Sequence, residues 1–136
     1  MVRVHFEHGL ETSLTSTDFT ISTCGPQPPT IVQFGANVPQ ELARASSLVV
    51  PFCNGIDLNC GCRVDAVYKT GAGSALMDAP SKLERMIRGM NTVSGEVPIT
   101  TKIRMGVRDD RHTAQKLVER LALGSEDMRD VTGAPG

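Results

Sequence analysis

Gly55-Ile56-Asp57-Leu58-Asn59-Cys60-Gly61-Cys62 decides the reading of this chain. Apolar and polar residues alternate from Ile56 to Asn59, the period of a half-buried strand. A glycine then stands between two thiols, where the chain can turn sharply. The segment therefore predicts a strand with a carboxamide and a thiol at its carboxyl end. In open α/β sheets and barrels that edge is where ligands and chemistry gather. Ile99-Thr100-Thr101-Lys102-Ile103-Arg104-Met105-Gly106 ends a second strand in the same way, now with a lysine and an arginine.

The residues on either side follow the same grammar. Thr30 to Gly35 is β-branched and stopped by glycine, a strand signal. Asn37 and Pro39 start a helix with Leu42, Ala45 and Val49 on one face, and Pro51 ends it. Residues 60–77 read as a long loop. Asp78 and Pro80 open a second helix, with Leu83, Met86, Ile87 and Met90 at helical spacing. A strand is predicted over 97–104, then a helix carrying Ala114, Leu117, Val118 and Leu121 that stops at Gly124. Such alternation is the signature of parallel βαβ units with right-handed crossovers, so the expected class is α/β. Three βα units are too few for a closed (β/α)8 barrel, which takes about 250 residues. Residues 1–29, with a Ser/Thr-rich run and Gly25-Pro26-Gln27-Pro28-Pro29, read as an irregular N-terminal segment. Residues 125–136 read as a flexible tail.

The chain has 136 residues, the size of one domain. Its net charge of -1 gives composition no argument for a nucleic-acid or membrane surface. No apolar run approaches the roughly 18–20 residues that cross a bilayer, and the first residues lack the apolar core of a signal peptide. A reducing, intracellular setting, cytoplasmic or nuclear, is expected, without membrane contact. Cys24, Cys53, Cys60 and Cys62 are the only cysteines, and the last two lie too close to pair readily with each other. A disulfide scaffold is therefore not expected.

Strand parity brings the polar groups together. If Ile56 and Leu58 pack on helices, Asp57 and Asn59 face the other way. Val32 and Phe34 likewise leave Gln33 on that face, and Ile99 and Ile103 leave Lys102 and Arg104 there. Polar groups in such a place need partners. They form either an internally satisfied polar layer or a ligand site with amides and a cation suited to an anionic group. Cys62 has its own alternatives. With Cys53 and Cys60 it gives three thiolates for a small zinc module, although the second C-x₂₋₄-C knuckle of structural sites is missing. A buried cysteine is otherwise an apolar filler, a role that suits Cys53 and Cys24 better than a residue opening a glycine-containing loop. His112 reads as a surface residue, so no Cys–His pair is indicated. Gly71-Ala72-Gly73 lacks the ending of a phosphate loop, and Lys69 alone reads as a solvated cation.

Ile31-Val32-Gln33-Phe34-Gly35, Asp57-Leu58-Asn59-Cys60-Gly61-Cys62, Gly71-Ala72-Gly73-Ser74-Ala75-Leu76-Met77 and Lys102-Ile103-Arg104-Met105-Gly106 occur in the order and spacing of the tRNA-dihydrouridine synthases. From about residue 30 to 124 the chain resembles that family, in its eukaryotic branches. The earlier half is similar to the branch acting in the D loop and the later half to the one acting near the variable loop.

The resemblance implies an FMN-dependent, NADPH-consuming reduction of uridine in tRNA on a partial TIM barrel, residues 30–124 carrying barrel strands three to five. It implies hydride delivery from flavin to C6 and a proton from Cys62 to C5. By the same carry-over Gln33 and Lys102 meet the flavin, while Asn59, Lys69 and Arg104 meet the substrate. No metal is implied. Arg63 stands where the family usually has proline. The first and later barrel strands lack counterparts, so the chain alone is expected to be a fragment that binds little flavin and reduces no tRNA. A non-catalytic half-barrel that self-associates through exposed faces is the alternative of a different class.

Overall fold

Val32, Phe34, Ile56 and Leu58 are fully buried, and they build the sheet on which the rest of the molecule is arranged. A computed structural model describes residues 3–6, 29–108 and 110–132, with the backbone alone for 3–6 and 124–132. The strands are β1 (Arg3–Phe6), β2 (Ile31–Gly35), β3 (Gly55–Asn59) and β4 (Ile99–Lys102), and they lie in that order in one sheet. β2, β3 and β4 run parallel. The register places Gln33 beside Asp57, Asp57 beside Thr100, and Asn59 beside Lys102.

The crossovers are α1 (Pro39–Val49) and α3 (Pro80–Ser94), with a short α2 (Asp65–Tyr68) between them. α1 opens with proline at its first position, where the missing N–H costs nothing. Its Leu42 and Val49 join Leu83, Met86 and Met90 of α3 against the sheet's apolar face. A β-carbon at Gly89 would stand 3.5 Å from that of Ala43, so the small residue sets how closely α3 approaches α1. α4 (Ala114–Thr132) adds Leu117 to the same core.

The structure corrects the sequence reading in four places. The segment read as irregular contributes β1, which pairs antiparallel with β2. Val4 and Phe6 alternate with Arg3 and His5 there, a strand period masked by the Ser/Thr-rich and Pro-rich stretch that follows. Residues 7–28, with His8 and Cys24, lie outside the described residues. The expected loop 60–77 contains α2 and a 3-10 turn, Gly73–Asp78. The strand expected over 97–104 is only Ile99–Lys102. Finally, α4 does not stop at Gly124 but runs to Thr132. One glycine costs a helix about 1 kcal/mol, which lowers helicity without ending it.

Among the described residues no helix is long and apolar enough to cross a membrane. Nor, among the described residues, does any group of three or more His, Cys, Asp or Glu stand where it could hold a metal ion.

α4 is tied to α3 by Arg120, which donates to Glu84 and, at 2.9 Å, to Ser81 Oγ. The guanidinium holds the Glu84 carboxyl below its ordinary range. A depressed carboxylate stabilises the fold above its unfolded pKa, and that contribution disappears as pH falls through the folded value. The pair is exposed, so its effect is modest and screened by salt. An acid titration of helicity by circular dichroism is expected to show a small loss below the usual carboxylate range. Glu84→Gln should flatten that part of the curve, and a variant titrating like the parent would show that the pair does not anchor α4.

Candidate active site

The polar face expected from strand parity exists, and its groups are bonded to one another. Gln33 Nε2 donates to Asp57 Oδ2 at 2.6 Å, and Thr100 Oγ1 donates to Asp57 Oδ1 at 2.6 Å. Asn59 Nδ2 donates to Gln33 Oε1 at 3.0 Å. Gln33 and Asp57 are almost fully buried, so these bonds satisfy groups that would be costly to leave unpaired.

Beyond Asn59 the network reaches the thiol loop. Its Oδ1 accepts the backbone N–H of Gly61 and of Cys62, both at 3.0 Å. One side chain thus caps the turn that its own strand runs into, a local bond typical of asparagine at such ends. Cys60 N donates to Lys102 O at 2.8 Å and extends the β3–β4 pairing one step past the strand. Arg104 Nη1 donates to Gly61 O at 3.1 Å from the other side. The Cys62 carbonyl accepts from Ser74 N at 2.9 Å, which seats the loop on the 3-10 turn.

Between the ends of β3 and β4 lies a cleft of about 740 Å³, lined by Asn59, Gly61, Cys62, Arg63, Lys102, Ile103, Arg104, Met105, Gly106, Arg108 and His112. Its volume suits a cofactor-sized ligand. Four of the lining residues are Arg or Lys and none is acidic, although the whole chain carries a net charge of -1. The cleft therefore favours an anionic or electron-rich guest. Its far wall is a tight loop in which Thr113 N and Ala114 N both donate to Met105 O. A β-carbon on Gly106 would lie 1.9 Å from Arg111 O, so only glycine fits there.

The two thiols of the Cys-Gly-Cys segment are not alike. Cys60 is fully buried, and burial with the nearby Asp57 charge pushes its pKa up to about 12. That thiol is inert at neutral pH. Cys62 is half-buried on the cleft wall. Cys53 is half-buried and packs against the core, with its pKa raised by burial.

Of the residues singled out from sequence, Asn59, Cys62, Lys102 and Arg104 line the cleft. Gln33 stands behind Asn59, with one donor and its acceptor engaged within the protein. Lys69 is exposed at the end of α2 and is not part of the lining. Sequence reasoning missed Thr100, Arg63, Arg108 and His112. His112 is exposed as expected, but it precedes α4 and faces the cleft. Parity could have found Thr100, two residues before Lys102 on the same strand. Nothing local signals the other three, because a loop brings them in.

Two relations to known proteins bear on this geometry. The family model for dihydrouridine synthase matches residues 10–124. The chain belongs to the dihydrouridine synthase family. The tRNA-dihydrouridine(47) synthase [NAD(P)(+)] of Neurospora crassa is 66% identical over 108 residues, covering 77% of this chain and 15% of the relative. The protein of that name from Chaetomium globosum is 66% identical over 107 residues, 76% of this chain and 15% of its own length. That from Sclerotinia sclerotiorum is 57% identical over 107 residues, 76% of this chain and 14% of its own length. The chain thus spans about 15% of the length of these relatives. All three carry one name across the matched stretch. The three-stranded parallel sheet with helical crossovers is consistent with part of the family's barrel.

Proposed function

We propose that this chain provides one wall of the active site of a tRNA dihydrouridine synthase acting at uridine 47. The observation that carries the reading is the placement of Cys62: a loop thiol, held by Asn59, in the same cleft as Lys102 and Arg104. A dihydrouridine synthase must add a hydride and a proton across the C5–C6 bond of uridine.

The donor set of the cleft fits FMN, since the Asn59 carboxamide, backed by that of Gln33, and a cluster of cations suit a polar ring that gains negative charge on reduction. When bound, FMN supplies the hydride that C6 receives, with NADPH as the reductant. Lys102 lies at the cleft edge of β4, where its ammonium favours an electron-rich partner. Gln33 and Asn59 present the remaining capacity of their amides beside it. Cys62 holds a proton at Sγ for C5. The uridine has to leave its stack to reach this depth. Arg104 contacts it from within the cleft, while Lys69 meets the RNA outside it. In this reading the stretch corresponds to barrel strands three to five, and the remainder of the barrel lies outside it.

The test is a transplant. Residues 30–124 replace the corresponding stretch of the Neurospora crassa relative, and the chimera is given FMN, NADPH and a tRNA transcript lacking modifications. Dihydrouridine at position 47, detected as the gain of two hydrogens by mass spectrometry, should form at a rate within about tenfold of the parent, the scale of a barrier change near 1.4 kcal/mol. A folded chimera that binds FMN and produces none refutes the proposal.

A further inference from the structure

We infer that Asp57 is the positioning residue of this site: through Gln33 and Asn59 its carboxylate fixes the direction of a hydrogen-bond chain that ends on the backbone of Cys62. The inference rests on the reading of Cys62 as the reacting thiol, but its measurement does not.

The argument is one of donor and acceptor polarity. A carboxylate only accepts, so Gln33 must turn its NH₂ toward Asp57. That leaves Gln33 Oε1 to face Asn59, which must then present its own NH₂. Asn59 Oδ1 is thereby turned toward Gly61 N and Cys62 N, which can only donate. Each amide in the chain has two orientations, and a single combination satisfies both ends. Thr100 closes the arrangement by donating to the second carboxylate oxygen, so the carboxylate cannot rotate without losing a bond on each side. Asp57 is only 7% exposed and is not among the residues that line the cleft, which makes it an organiser and not a contact.

Three substitutions separate this role from general packing. Asp57→Leu puts an apolar side chain of similar size in its place and removes the acceptor, which leaves Gln33 Nε2 without its partner and Gln33 free to turn away from Asn59. Asp57→Asn should rescue the chain, because its carbonyl can accept from Gln33 while its NH₂ donates to the Thr100 hydroxyl. Thr100→Val removes one bond at an exposed strand position while keeping the β-branched shape.

Amide hydrogen exchange in the full chain, read residue by residue by NMR, is the measurement. In Asp57→Leu the amides of Gly61 and Cys62 should exchange about tenfold faster or more, as expected for loss of a hydrogen bond. The amide of Leu58 and those of α1 should keep their protection, and Asp57→Asn should stay near the parent. Unchanged exchange at Gly61 and Cys62 overturns the inference, as does equal acceleration across the sheet and α1, which would make Asp57 a plain fold determinant. Should Asp57→Leu fail to fold, Thr100→Val decides: a selective acceleration at Gly61 and Cys62 supports the role, and none overturns it. Because the readout involves neither flavin nor tRNA, it fails independently of the proposed activity.

Discussion

Cys62→Ala in the transplanted enzyme is expected to lower uridine reduction by roughly 10²–10⁴-fold, the usual worth of a positioned proton donor. The loss should fall on kcat with little change in the KM for tRNA, because the thiol acts as the barrier is crossed and not during binding. Flavin binding should survive, since the groups expected to meet the cofactor are the carboxamides and Lys102. Cys62→Ser should recover little, because a hydroxyl is a much weaker acid than a thiol. The backbone bonds that hold the loop do not involve the Cys62 side chain, so folding should be unaffected. Activity within tenfold of the parent would remove Cys62 from the chemistry and require another proton source.

Gly73→Ala is expected to be the most damaging single change that leaves the cleft residues in place. Gly73 has φ of +61°, where alanine is strained by about 1–2 kcal/mol. Its new β-carbon would also stand 2.6 Å from the Cys62 carbonyl oxygen and 3.2 Å from the Cys62 β-carbon. Neither neighbour can move freely, because Ser74 N is bonded to that same carbonyl. Strain at the 3-10 turn is therefore passed directly to the thiol loop. Gly95→Ala is the control: φ is +56°, but no atom lies within 4 Å of the added carbon. The urea midpoint should fall for both variants and clearly further for Gly73→Ala, and only the latter should also impair reduction. Equal midpoints for the two would show that the contact with Cys62 relaxes at no cost.

The central architecture was readable because each parallel strand repeats one pattern. Buried on the helix side, Ile56 and Leu58 force Asp57 and Asn59 to the other face, and β3 folds over the residues that the alternation marked. The same parity put Gln33 and Lys102 on that face, and the register sets them beside Asp57 and Asn59. What escaped was set by distance along the chain. Arg63, Arg108 and His112 reach the cleft through loops whose course depends on bonds such as Thr113 N to Met105 O and on the close approach at Gly106. Charge misled for a related reason. A sum of -1 says nothing of where charges sit, and here cations converge on a cleft whose lining holds no acidic residue. Gln33 reads as a ligand contact from sequence, and one of its donors and its acceptor also serve the protein's own network.

α3 carries the chain from one wall of the cleft to the other yet gives the cleft no side chain, and it meets the sheet through Leu83, Met86 and Met90. Its opposite side bears Arg85, Arg88 and Thr92, all exposed. That side is a ready attachment point: a fluorophore or spin label joined through Arg85→Cys, with Cys62 shielded during coupling, would report on RNA docking without occupying the space the RNA needs.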